Sequence, residues 1–226
     1  LGIDDKTPNP PGGVIVRDAR GQPTGVLNGG GAVRSTLARL GEVAMAKMTD
    51  NARNMFAELN RMGMTSYIDM GGRSFHPKYF EPVRELARQK ALTMRVFYHL
   101  WLEPESPKDV DGVLNTIKGM KPFQGDDWFD NIGYGETVYF PLHDNTLVAR
   151  TQPSAENMVQ WRRIAQAVAD KGMTLNVHAQ LRGSIERFLT EIEDISKVKP
   201  VKGLAWTLSH VDQLEPQDLD RLRRLD

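Results

Sequence analysis

Two histidines stand at the ends of two short apolar segments of the chain. His178 closes Thr174-Leu-Asn-Val-His178, and His210 closes Leu204-Ala-Trp-Thr-Leu-Ser-His210. Their separation is 210 − 178 = 32 residues, and one strand–helix unit of a (β/α)8 barrel takes about 31 residues. Parallel strands deliver their last side chains to one face of such a barrel, so the two imidazoles are predicted to meet there. Imidazole is the commonest metal ligand, which makes metal binding the first chemistry to consider.

Two other interpretations of these histidines stay open. Each imidazole could merely hydrogen-bond a loop, although two histidines at equivalent positions of adjacent units make this less favoured. Alternatively, His178 and His210 could act as acid and base without a metal. Metal analysis separates these interpretations: about one bound metal ion per chain favours metal binding, and none favours the other two.

The elements that must position these residues alternate between strand and helix. Apolar runs predict five strands, at 65–70, 94–101, 131–140, 174–178 and 204–210. Helical periodicity and end signals predict helices at 33–40, 50–62, 77–90, 107–120, 153–171 and 216–225. This β-α-β order is typical of a parallel sheet. The predicted fold class is therefore α/β, part of a (β/α)8 TIM-type barrel of about five strand–helix units.

The first 31 residues have a different character. They are dense in proline and glycine, and Val14–Asp18 and Thr24–Leu27 flank a predicted turn. We interpret residues 1–31 as a β-hairpin or connector segment and residues 32–226 as the partial barrel domain. A hairpin of this kind could cover an active-site mouth, but a plain connector is the favoured interpretation.

Composition limits the partners and the chemistry. The chain of 226 residues carries 29 basic and 29 acidic side chains, which argues against nucleic acid or an anionic membrane surface as a partner. A small uncharged or zwitterionic substrate fits better. The chain has no cysteine, so any metal must bind nitrogen and oxygen ligands. The sequence has no run of 18 apolar residues, so no membrane span is predicted. The compartment stays undetermined.

Three further histidines are less informative. His76, in a predicted loop, and His99, inside an apolar strand, are interpreted as structural. His143 follows the third strand in Pro-Leu-His-Asp and could reach the pocket from that loop, so it is our candidate substrate-binding residue. No phosphate-binding glycine loop or serine-nucleophile motif is present.

Several local patterns together resemble the amidohydrolase superfamily, specifically its family 3 branch of metal-dependent N-acyl-amide hydrolases. The patterns are Asp5-Lys-Thr-Pro-Asn-Pro-Pro-Gly-Gly13 with Arg17-Asp18 and Gly21-Gln-Pro-Thr-Gly-Val-Leu27, Gly63-Met-Thr-Ser-Tyr-Ile-Asp69, and Leu208-Ser-His-Val-Asp-Gln-Leu214. The resemblance implies a metal centre of an N-terminal His-x-His pair, a bridging carboxylate (often a carbamylated lysine), two later histidines and a final aspartate that acts as base. His178 and His210 resemble the two later histidines.

The chain departs from the family pattern in three ways. The bridging lysine is expected near residues 130–140, where Gly133-Tyr-Gly-Glu136 offers Glu136 instead. A glutamate can bind metal through oxygen as a carbamylated lysine does, so Glu136 is our third predicted ligand. No His-x-His occurs, and the final aspartate is not identified. We therefore expect an internal part of the catalytic domain, with the general base outside this chain.

These observations predict a metal-dependent hydrolase of amide or related C–N bonds, incomplete in this chain, with zinc as the favoured divalent metal. The alternative functions are a non-catalytic fragment or binding scaffold of the same fold, and the metal-free acid–base enzyme described above. We expect flanking polypeptide to supply the missing barrel strands. A second copy of the chain, or the segment Leu1–Gly31 covering the open edges, are the other possibilities.

Overall fold

The structure of the protein, a computed structural model, describes residues 1–41, 43–71, 80–102, 104–144 and 153–225. It has two compact units, Leu1–Met48 and Thr49–Asp226. The predicted division into a segment 1–31 and a domain 32–226 concerns independent folding and stays a prediction. No helix among the described residues is long and apolar enough to cross a membrane.

The first unit is built on an antiparallel hairpin. Its strands are β1, Val14–Arg17, and β2, Pro23–Asn28. The carboxylate of Asp18 holds the turn between them, accepting hydrogen bonds from the backbone N–H groups of Arg20 and Gln22, both at 2.9 Å. An aspartate that bonds the backbone two residues ahead favours a turn over a continuing strand. The hairpin predicted from the sequence is therefore present.

Helices and strands then alternate along the chain. The elements are α1 Gly30–Leu37, α2 Met45–Arg61, β3 Ser66–Asp69, α3 Glu81–Arg88, β4 Arg95–Leu100, α4 Pro107–Gly119, β5 Phe129–Tyr134, α5 Ala155–Asp170, β6 Thr174–Ala179, α6 Arg182–Val198, β7 Thr207–His210 and α7 Pro216–Leu225. Short 3-10 turns follow α1 at Ala38–Leu40 and precede α5 at Phe140–Leu142.

The strands β3 to β7 form one parallel sheet in the order in which they occur in the chain. Helices lie between successive strands, as a parallel sheet requires. Five parallel strands are too few to close an eight-stranded barrel, so the sheet is a curled part of one. The predicted fold class, a partial (β/α)8 barrel preceded by a hairpin, is confirmed.

One side chain shows how strongly the sheet curls. Asn176 of β6 donates from Nδ2 to the carbonyl oxygen of Met70, immediately after β3, at 3.2 Å. Its Oδ1 accepts hydrogen bonds from the hydroxyls of Thr207 and Ser209 on β7, at 2.8 and 2.6 Å. β3 and β6 are not neighbours in the sheet. The amide of Asn176 can therefore contact the end of β3 as well as β7 only if the sheet curves around it.

The outer face of the sheet packs against the helices. Leu175 and Val177 of β6 are buried and alternate with the inward residues of that strand. Behind them, Trp161 of α5 and Phe188 of α6 stack with ring centroids 5.1 Å apart. Full burial stabilises each large apolar side chain by roughly 1.5–3 kcal/mol. This packing fixes α5 and α6 against β6.

Some predicted boundaries differ from the structure. The third strand was expected at 131–140, but β5 covers Phe129–Tyr134, because Gly135 leaves the strand conformation at φ 140°. The second helix begins at Met45 rather than residue 50, since Ala46 and Lys47 are good helix formers. The predicted helix start at residue 77 and His76 lie outside the described residues.

Candidate metal centre

His178 lies near the carboxyl end of β6, on the inner face of the sheet. Side chains two residues apart in a strand share a face, so Thr174, Asn176 and His178 all point inward. His178 is 7% exposed. The strand thus delivers the imidazole to the end of the sheet at which barrel enzymes carry out their chemistry.

His210 is the last residue of β7 and has an unusual backbone conformation. Both His210, at φ 72°, and Val211, at φ 47°, lie in the left-handed region, which costs on the order of 1–3 kcal/mol per residue. The Val211 N–H donates to the carbonyl oxygen of Ala179 at 2.9 Å and fixes this turn to β6. With this backbone, the His210 ring centroid lies 4.5 Å from that of His178.

Glu136 reaches the histidines because the chain bends immediately after β5. A Cβ at Gly135 would lie 2.3 Å from the carbonyl oxygen of Asn176, so only glycine allows this close approach to β6. The next residue, Glu136, then accepts a backbone hydrogen bond from the N–H of His178 at 3.1 Å. The glycine therefore sets the position of the carboxylate.

The three predicted ligands meet at one point. Oε1 of Glu136 lies 2.7 Å from Nδ1 of His178 and 2.6 Å from Nε2 of His210. One potential ligand atom from each residue lies within 4.8 Å of those of the other two. His210 is partly open to solvent, with 42% of its side chain exposed. Two imidazoles and a carboxylate are a donor set suited to zinc and other divalent metals.

Asp144 supports His178 from the other side of the ring. The carbonyl oxygen of Asp144 lies 2.7 Å from Nε2 of His178, and its carboxylate Oδ1 lies 3.2 Å away. A carbonyl oxygen only accepts hydrogen bonds, so Nε2 carries a proton and donates it. This contact leaves Nδ1 facing Glu136.

The charges in this cluster depend on one another. Burial lowers the pKa of His178, but its hydrogen bonds to Asp144 and Glu136 outweigh burial and raise the pKa to about 9. Burial raises the pKa of Glu136, whereas hydrogen bonds from His178 and His210 give a net downward shift. Burial also raises the pKa of Asp144, yet hydrogen bonds, first from His178, lower it to about 2. Without a metal, an imidazolium thus lies between two carboxylates.

His143, the candidate substrate-binding residue, lies beside this cluster. Its ring centroid is 4.1 Å from that of His178, and Phe140 stacks on it at 5.8 Å. Its Nδ1 lies 3.2 Å from the hydroxyl of Thr137. The substrate-binding role of His143 stays a prediction.

His99 lies elsewhere in the sheet, with Nε2 2.8 Å from the hydroxyl of Thr174. Its side chain is almost fully buried, and its Nδ1 has no hydrogen-bond partner among the described residues. The structural role of His99 stays a prediction.

Neither Asp144 nor Asn176 was predicted as part of the site from the sequence. Asp144 follows His143 in Pro-Leu-His-Asp, and this adjacency was the one available signal. Its partners Gln180 and Leu181 are 36 and 37 positions away. No local spacing predicts such contacts.

Comparisons with known proteins bear on this site. A model of the amidohydrolase family matches residues 1–226. Neither a curated protein nor a solved structure matches the chain. Amidohydrolases typically bind a divalent metal and act on small molecules, so the match supports a metal-dependent hydrolase in general. With its parallel half-barrel and its family match over residues 1–226, the chain belongs to the amidohydrolase family, in its family 3 branch.

Proposed function

We propose that this chain carries part of the metal centre of a hydrolase that acts on amide or related C–N bonds. The ligands are Glu136, His178 and His210, and zinc is the favoured metal. The observation that carries the proposal is the convergence of three donor atoms, one after β5 and two at the ends of β6 and β7. A set of three protein ligands is typical of catalytic zinc sites, which keep a further position for water or substrate.

Each residue has a defined part in this proposal. His178 offers Nδ1, because Nε2 is held by Asp144. His210 offers Nε2 from the more exposed side of the cluster. Glu136 supplies the carboxylate that the family usually takes from a carbamylated lysine. When bound, a divalent metal polarises the substrate carbonyl and lowers the pKa of water to about 7.

The surrounding residues complete the proposal. We assign substrate binding to His143, whose ring centroid lies 4.1 Å from that of His178. No residue of this cluster is assigned as the general base. The site therefore holds and orients reactants, whereas the proton transfer of hydrolysis needs a group from elsewhere.

Zinc binding tests the proposal. We expect the metal-free full chain to bind about one zinc ion, and His178→Ala and His210→Ala each to abolish binding, measured by titration calorimetry and metal analysis. Asp212→Asn is the matched control, because Asp212 is exposed and lies two residues from His210. A wild-type chain that binds no zinc, or an Ala variant that binds it as tightly as wild type, would contradict the proposal. The metal-free scaffold and the acid–base enzyme would then be the better interpretations.

A further inference from the structure

We infer that Asp144 is a positioning residue of the metal centre, which holds the His178 ring so that Nδ1 faces the metal. This inference rests on the proposed function, because it assigns Asp144 a role towards the same ligands. Its role follows from contacts in two directions.

The first direction is towards the imidazole. The carbonyl oxygen of Asp144 accepts the Nε2 hydrogen of His178 at 2.7 Å, and Oδ1 lies 3.2 Å from the same nitrogen. A histidine ligand whose second nitrogen is hydrogen-bonded has a fixed tautomer and a fixed ring orientation. Without this partner, the ring could rotate about its bond to Cβ, and Nδ1 would lose its direction towards Glu136.

The second direction is towards the turn between β6 and α6. The Asp144 carboxylate accepts hydrogen bonds from the backbone N–H of Gln180 at 3.0 Å and from that of Leu181 at 2.8 Å. It also accepts one from the side chain of Ser184, in the first turn of α6. The carboxylate is therefore tied to the backbone that directly follows the His178 strand. An acid at a helix N-terminus is also favoured by the helix dipole.

These two sets of contacts act together because Asp144 is rigidly held. The residue is only 1% exposed, and its carboxylate has partners on both oxygens. In Asp144→Asn one carboxylate oxygen becomes an NH2 group, which donates and cannot accept. In either orientation of the amide this group faces a backbone N–H, that of Gln180 at 3.0 Å or that of Leu181 at 2.8 Å, so two buried donors repel each other. The segment that carries the carbonyl oxygen then shifts relative to His178. Residues that orient a metal ligand in this way typically contribute 10–100-fold to metal affinity.

Zinc affinity of the full chain tests the inference, measured by competition with a chromophoric chelator. We expect Asp144→Asn to weaken zinc binding by about 10–100-fold. Asp218→Asn is the matched control. Asp218 is also buried, accepts the backbone N–H of Glu215 and pairs with Arg182 at the start of α6. It belongs to neither the proposed ligand set nor its support, so we expect this variant to lose stability but keep the wild-type zinc affinity.

The outcomes separate this inference from the proposed function. Unchanged zinc affinity in Asp144→Asn, or an equal loss in both aspartate variants, would overturn the inference and leave the metal site standing. A wild-type chain without zinc affinity would overturn both.

A second measurement does not depend on the variant folding. In nitrogen-15 spectra of the zinc-loaded wild type, we expect His178 to bind zinc through Nδ1 and to keep a hydrogen-bonded Nε2–H. Ligation through Nε2 would overturn the inference.

Discussion

Oε1 of Glu136 lies 2.7 Å from Nδ1 of His178, although the two residues are 42 positions apart in the chain. The same oxygen lies 2.6 Å from Nε2 of His210. In the metal-free chain the protons of the imidazoles occupy the space between these atoms. A metal ion binding there must displace protons, as metal binding to histidine generally does.

Replacing Glu136 tests its importance directly. We expect Glu136→Gln to weaken zinc binding by at least about tenfold, because a neutral amide oxygen is a much poorer ligand than a carboxylate. Chelator competition measures the change. Glu58→Gln, at an exposed position of α2, is the control and should bind zinc like the wild type. Wild-type affinity in Glu136→Gln would remove this residue from the ligand set.

The bend before Glu136 should be intolerant of any side chain. We expect Gly135→Ala to lower the free energy of unfolding by about 2–4 kcal/mol, since its Cβ would lie 2.3 Å from the carbonyl oxygen of Asn176. In Gly112→Ala, the added methyl group meets nothing within 4 Å inside helix α4, and we expect stabilisation by about 0.5–1 kcal/mol. Urea denaturation measures both variants. Similar effects of the two substitutions would show that the close approach is absent.

His99 should make the stability of the protein depend on pH. Burial lowers the pKa of His99 from 6.5 to about 4. The unfolded chain therefore binds the proton first as the pH falls, so the stability that neutral His99 contributes is present above pH 6.5 and is lost between 6.5 and 4. A pKa difference of this size corresponds to about 3 kcal/mol.

The variant His99→Gln isolates this effect, because glutamine can donate a hydrogen bond but does not titrate. We expect the wild type to lose about 3 kcal/mol more than the variant between pH 7 and pH 4. Denaturation at several pH values gives the comparison. Parallel pH profiles for the two proteins would mean that His99 is not buried in its neutral form.

The edges of the sheet can be examined by hydrogen exchange. Among the described strands, β3 and β7 each have one neighbouring strand, whereas β6 has two. In the 226-residue chain as a monomer, we expect amides of β3 and β7 to exchange at least about tenfold faster than those of β6. Light scattering establishes the monomeric state. Equal protection of all three strands would show that the edges are covered.

Hydrolysis by the 226-residue chain alone is not expected. The described residues contain one cluster of three metal-binding side chains, and the sequence contains no His-x-His pair. We therefore expect the chain to bind zinc but not to hydrolyse an N-acyl amino acid measurably. Release of the free amine is the assay for hydrolysis. Zinc-dependent hydrolysis that disappears in His178→Ala would contradict this expectation.

The sequence was sufficient to predict the general arrangement of the site. The spacing of His178 and His210 matches one barrel repeat, and the alternation of strands and helices implies that their ends share one face. Glu136 followed from the family resemblance, which implies a bridging ligand near residues 130–140. The histidine spacing and the strand–helix alternation are regular repeats, which the parallel sheet preserves.

The details that the sequence did not predict depend on single long-range contacts. The end of β5 is set by the close approach of Gly135 to Asn176, and periodicity over a window cannot detect one residue's backbone angle. Asp144 contacts backbone N–H groups of Gln180 and Leu181. Because every residue except proline has such a group, the sequence pattern does not predict these contacts. The sequence pattern also did not predict the left-handed backbone conformation of His210, because only a few per cent of residues other than glycine adopt it.

The amide of Asn176 has a consequence for where the proposed ligands meet. Its hydrogen bonds join the end of β3 to β7 across the inner face of the sheet. The sheet is therefore curved although it has five described strands rather than a closed ring of eight. The proposed ligands after β5, in β6 and at the end of β7 therefore meet in a sheet of five strands.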